Sequence, residues 1–161
     1  MDIFEFAMEK EKLSEEYYRM IAVKTDNKGV KTILNTLADE ELKHYEVVLK
    51  MKSGVPAEVS ETTVLTDAKT IFEKMKQGRQ RFRASPGEGQ FYRKAMDIEK
   101  DSRSFYLQKA GQVKDERQKE IFNCLAEEEN KHYFLLENLM DFVSRPAAWL
   151  ENAEFNHLDE Y

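Results

Sequence analysis

Glycine and proline are scarce in this chain, six and three among 161 residues, so it has few of the turn formers that a strand-rich architecture needs. Cysteine is scarcer still. Cys124 stands alone, which excludes an internal disulfide, a zinc ribbon, a four-cysteine iron site and a redox dithiol, and suits a reducing cytoplasm. No apolar run approaches the roughly 18 residues of a membrane span, and the N-terminus lacks a basic stretch followed by an apolar one. The net charge of −6 comes without a basic stripe, which argues against a nucleic-acid partner. These absences lead us to expect a soluble cytoplasmic protein that binds neither nucleic acid nor membrane.

What is present is helix-forming. Hydrophobic residues make up 41% of the chain, enough for one domain with its own core, and Glu, Lys, Leu, Met and Ala are plentiful. Apolar positions recur at helical spacing over about residues 3–24, with Phe4, Ala7, Met8, Leu13, Tyr17, Tyr18 and Ile21 on the repeating face. A second run covers about 30–52 and stops at Ser53-Gly-Val-Pro56; a third covers about 90–110 and a fourth about 116–143, closed by Ser144-Arg-Pro146. Between the second and third lies a long connection, about 54–89, with a short helical candidate at 67–76 and a connector at Ser85-Pro-Gly-Glu-Gly89. The expectation is an all-α bundle of two helical hairpins joined by a crossover over residues 1–145, plus a tail at 146–161 that docks through Trp149 and Phe155.

The hairpins are copies of one another. An offset of 88 residues carries Leu37-Ala-Asp-Glu-Glu-Leu-Lys-His-Tyr45 onto Leu125-Ala-Glu-Glu-Glu-Asn-Lys-His-Tyr133 with seven of nine positions identical. The same offset carries Glu11-Lys-Leu-Ser-Glu-Glu-Tyr-Tyr18 onto Glu99-Lys-Asp-Ser-Arg-Ser-Phe-Tyr106 with four of eight identical.

Within each Glu-x-x-His the two side chains share one helix face, so Glu41 with His44, and Glu129 with His132, can grip one ion. Glu11 and Glu99 add one carboxylate from each of the other two helices. One Glu from each of two helices, with Glu-x-x-His from each of the other two, is the ligand pattern of di-iron and di-manganese carboxylate bundles. Four carboxylates buried together repel one another and lose hydration, and two divalent cations neutralise them. The donor set suits iron or manganese in a redox role and also accepts zinc; iron is our choice because its redox chemistry explains the architecture. Tyr18 and Tyr106 follow Glu11 and Glu99 by two helical turns, placed to hydrogen-bond a ligand carboxylate or to pack in the core. Tyr45 and Tyr133 point off that face. A third Glu-x-x-His, Glu154 with His157, has no repeat partner, and we assign it to the docking tail.

At these residues the chain resembles the rubrerythrin-like branch of the ferritin-like superfamily, over about residues 3–143. The resemblance implies a ferritin-like four-helix bundle in which Glu41 and Glu129 bridge two irons, Glu11 and Glu99 are terminal carboxylates, and His44 and His132 complete one iron each. It also implies an oxidoreductase that reduces hydrogen peroxide, with dioxygen as a second candidate oxidant, in an oxidative-stress role. Two features depart from the family pattern. Ser102 stands where typical members carry an extra carboxylate, and the four-cysteine rubredoxin domain has no counterpart here, so electrons must come from a separate rubredoxin-like or flavoprotein donor. Two other readings remain: a ferroxidase that handles iron, and a metal-dependent sensor or scaffold with little catalysis. Ferritin-like bundles commonly pair, and we expect at least a homodimer.

Overall fold

A computed structural model describes residues 2–78, 84–145 and Trp149. Five helices account for most of them: α1 Ile3–Lys24, α2 Lys28–Lys52, α3 Val64–Gln77, α4 Glu88–Gln112 and α5 Glu116–Ser144. Helices α1 with α2, and α4 with α5, form the two antiparallel hairpins, and α3 lies in the crossover against α2 and α5. No described helix is long and apolar enough to cross a membrane.

Side-chain caps set several helix ends. Asp2 and Glu5 form a capping box on α1, Asn27 accepts from the Val30 amide, and Asp115 accepts from the Gln118 amide. The Asn27 cap starts α2 two residues before the apolar periodicity does. The crossover helix begins at Val64 rather than at 67, because the Thr62 hydroxyl accepts from the Val64 amide. Helix α4 begins at Glu88, where Gly87 takes a φ of 77° that suits glycine, and it runs through Gly111 to Gln112, two residues past the expected stop.

Two apolar clusters fill the bundle. One holds Ile21, Leu34, Leu37, Tyr92, Leu135, Leu139 and Phe142 together with Phe72 of α3; the other holds Ala7, Val48, Met51, Tyr106, Phe122 and Leu125. Along each of the four long helices, the six Glu and His positions of the repeat fall between residues of the first cluster and residues of the second. The core is thus interrupted at mid-height by charge. Trp149 is fully buried, its ring centroid 4.6 Å from that of Phe72 and 5.6 Å from that of Phe142. Phe155, Glu154 and His157 lie outside the described residues.

Gly29, in the first turn of α2, is held by packing. A Cβ there would stand 2.7 Å from Ile71 Cγ2 and 3.1 Å from Met75 Sδ, both on α3. Glycine-to-alanine in a helix gains about 1 kcal/mol in propensity, but overpacking against a stiff β-branched side chain costs about 1–3 kcal/mol. We expect Gly29→Ala to lower stability by about 1 kcal/mol in urea denaturation, against the sign of its helix propensity.

Candidate metal centre

Each long helix contributes to the charged layer what its sequence spacing allows. Glu11 from α1, Glu41 and His44 from α2, Glu99 from α4, and Glu129 and His132 from α5 all point inward; the four carboxylates and His132 are at most 2% exposed, and His44 is 4% exposed. Two sets of candidate donors emerge: Glu11, Glu41, His44 and Glu129, and Glu41, Glu99, Glu129 and His132, with the donor atoms of each set within 4.8 Å of one another. The sets share Glu41 and Glu129. Each also has one carboxylate and one imidazole of its own, an arrangement with the stoichiometry of two adjacent ions bridged by two carboxylates.

The repeat is visible as a pseudo-twofold exchange. His44 Nδ1 lies 2.7 Å from Glu129 Oε1, and His132 Nδ1 lies 3.0 Å from Glu41 Oε1, so each imidazole hydrogen-bonds the carboxyl group of the other hairpin. The phenols do the same: Tyr18 donates to Glu99 and Tyr106 donates to Glu11. The structure therefore brings together all six positions singled out by the repeat, and it places both tyrosines against a carboxylate from the opposite hairpin. Tyr45 and Tyr133 are half-buried, Tyr133 packed against the first apolar cluster.

These groups are electrostatically frustrated when left alone. Burial, with repulsion from Glu99 and Glu11, pushes Glu41 well above the usual carboxylate range, and burial with repulsion from Glu11 and Glu41 does the same to Glu129. Burial also disfavours charge on Glu99, yet hydrogen bonding with Glu129 and the positive field of His132 hold it down to about 2. Glu11 is likewise lowered against burial, by hydrogen bonds with Glu41 and His44. Both imidazoles are raised despite burial because carboxylates surround them. Even so, Oε2 of Glu41, Glu99 and Glu129 is buried without a hydrogen-bond partner. Three orphaned carboxylate oxygens in one layer are strongly unfavourable unless cations meet them, and two divalent ions match the four carboxylates in charge. The residues present fit a two-metal centre.

A pH signature follows. Groups raised on folding, here Glu41, Glu129, His44 and His132, contribute stability that is present at low pH and lost as pH rises through their folded values. Glu11 and Glu99, lowered on folding, lose their contribution only in acid. Above the ordinary histidine value of 6.5, then, the raised groups govern. Calorimetry of metal-free protein should show Tm falling by several degrees as pH rises above that value, while divalent ions, taking the place of the protons, flatten the curve.

Sequence reasoning missed three neighbours of this layer. Glu40, at 8% exposure, lies with Oε1 3.6 Å from His132 Nε2. Its repeat mate Glu128, at 5%, accepts from the Thr62 amide at 3.1 Å, and the Thr62 hydroxyl donates to Glu40. Glu40 and Glu128 were signalled by their identity across the two copies; Thr62 lies in the unrepeated crossover and carried no signal.

A protein-family model described as Rubrerythrin matches residues 2–140. Neither a curated protein nor a solved structure matches the chain.

Proposed function

The chain belongs to the rubrerythrin family, and on that footing we propose that it is a di-iron oxidoreductase that reduces hydrogen peroxide, with electrons returned by a separate donor protein. One observation carries this reading: two four-donor sets of buried carboxylates and imidazoles that share Glu41 and Glu129. Glu41 and Glu129 hold both ions, Glu11 with His44 completes one position, and Glu99 with His132 completes the other. When bound, two ferrous ions supply the two electrons, and the Lewis acidity, that cleavage of the O–O bond requires. The balance is hydrogen peroxide, two electrons and two protons in, two waters out.

The protein's own groups position and insulate. Tyr106 and Tyr18 hold their protons at Oη, since burial and the facing carboxylates push both phenols well above their ordinary value. Each thereby fixes one oxygen of Glu11 or Glu99 and leaves the other to face the centre. The apolar clusters above and below exclude bulk water, which strengthens every charge interaction between them. With a single cysteine, the chain offers no four-cysteine relay of its own, which favours a rubredoxin-like or flavoprotein donor. The reading extends to a cytoplasmic setting and a homodimer, and light scattering tests the latter.

The decisive experiment loads metal-free protein with Fe(II) under anaerobic conditions and follows oxidation by stopped flow, with hydrogen peroxide and with dioxygen. We expect about two ions per chain, as the two donor sets require, and faster oxidation by peroxide, with the centre restored on re-reduction. Preference for dioxygen with continued uptake of Fe(II) would establish a ferroxidase instead. Stable binding without turnover would leave a sensor or scaffold, and manganese or zinc in the isolated protein would reassign the metal.

A further inference from the structure

The two halves of the centre are equivalent in sequence but not in their surroundings, and the crossover is what distinguishes them. Around His132 the layer is sealed. The ring is 0% exposed, its outer nitrogen Nε2 faces Glu40, and Thr62 lies over Glu40 by a hydroxyl hydrogen bond. The segment bearing Thr62 is tied to α5 as well: its amide donates to Glu128 and Lys131 lies 3.6 Å from both Glu61 and Glu128. Farther back, Arg117 donates to the Ala57 carbonyl at 2.9 Å. The repeat would set Glu128 outside His44 as Glu40 is set outside His132, but the crossover has claimed it.

Around His44 the same segment leaves a gap against α2 at residues 58–60, although Ala57 and Val59 pack into the apolar cluster that holds Val47 and Val48. A cleft of about 160 Å³ opens there, and its lining includes Lys43, His44, Glu58, Val59 and Ser60, with Glu40 at the edge where it screens His132 from the cleft. Of the six metal-centre side chains, His44 is the one that lines it. More of the cleft's surface is polar than apolar and both signs of charge are present, so it suits water and small hydrated solutes rather than an apolar molecule. A second groove, between α1 and α4, is lined by Leu13, Tyr17 and Ile98 among others and includes none of the six.

We propose that the cleft between α2 and residues 58–60 is the port through which small polar solutes, divalent cations and hydrogen peroxide among them, reach the centre, and that His44 is its inner end. The crossover thus assigns the duplicated positions different tasks: the His44 position exchanges with solution and the His132 position is locked behind Glu40 and Thr62. The role given to the solutes rests on the di-iron reading, whereas the accessibility of the two imidazoles does not.

The test begins with metal-free protein. Brief treatment with diethylpyrocarbonate, followed by peptide mapping, reads carbethoxylation of each histidine separately. His44 should react at least about tenfold faster than His132, which becomes reachable only when the crossover opens locally. Ser60→Trp, filling the cleft from the crossover side, should slow both His44 modification and the uptake of Co(II), read by its visible absorption, by a similar factor. Leu13→Trp, in the α1–α4 groove, should change neither. Thermal melts confirm that each variant is folded. Equal reactivity of the two imidazoles, a faster His132, or slowing by Leu13→Trp but not by Ser60→Trp would overturn the port. Preferential His44 modification in a protein that takes up no Co(II) would uphold the port's geometry while sinking the metal reading on which its cargo depends.

Discussion

Replacing both shared carboxylates, Glu41→Gln with Glu129→Gln, should abolish two-ion binding and at the same time make the metal-free protein more stable. The two effects have one cause. Glu41 and Glu129 are 0% exposed, are pushed upward by burial and by their carboxylate neighbours, and each leaves Oε2 without a partner. A glutamine keeps the shape, and its carbonyl oxygen still accepts from His44 or His132. Its amide can donate toward Glu11 or Glu99 without depending on a carboxyl proton that is lost as pH rises. A buried ion carries a desolvation penalty of several kcal/mol, which a neutral amide avoids, and in a domain of this size each kcal/mol moves Tm by about 2–4 °C. Metal-free variant should therefore melt several degrees above metal-free wild type at alkaline pH. Loss of the charges that neutralise both ions should leave no more than residual binding by equilibrium dialysis. If the variant still bound two ions, the shared positions would be wrongly assigned; if it bound none but melted lower, Glu41 and Glu129 would be stabilising the metal-free layer rather than straining it.

Phe72→Ala should lower Tm by about 6–20 °C, the largest stability loss we expect from one substitution. Phe72 belongs to the crossover helix yet is fully buried, its ring centroid 5.2 Å from that of Phe142 and 4.6 Å from that of Trp149. Truncating a buried phenylalanine costs about 3–5 kcal/mol through lost transfer energy and the cavity left behind, against a total stability of about 5–15 kcal/mol for a typical domain. Trp149 is the only tryptophan, so its emission reports directly on the site of damage. A red shift should accompany the fall in Tm. A shift of less than about 3 °C, the effect of roughly one kcal/mol, would show that α3 rests on the bundle as a passenger.

The repeat made the centre legible before any fold was known. The convergence of Glu11, Glu41, His44, Glu99, Glu129 and His132 in one layer depends on facing directions that helical periodicity dictates, and duplication singles them out where a lone Glu-x-x-His in a Glu-rich chain would not. The helices themselves were legible for the same reason, to within a few residues at each end. Their true starts depend on side chains reaching back to free amides, such as Asn27 to Val30, which periodicity does not record. The crossover has no copy to compare with, so its periodicity shows a short helical candidate and nothing of what that helix touches. Its contribution lies in contacts distant in sequence, Thr62 with Glu128 and Phe72 with Phe142, which no local pattern announces.

The division of the bundle into two hairpins has a kinetic consequence. The backbones run far closer together within each hairpin than between hairpins, and most close backbone approaches are between residues near in sequence, a topology that folds fast. The six metal-centre side chains are drawn three from each hairpin, so they meet only when the hairpins dock. If docking completes after the rate-limiting barrier, bound ions tighten an interface absent from the transition state. They should then lengthen the lifetime of the native state by slowing unfolding and leave the refolding rate almost untouched.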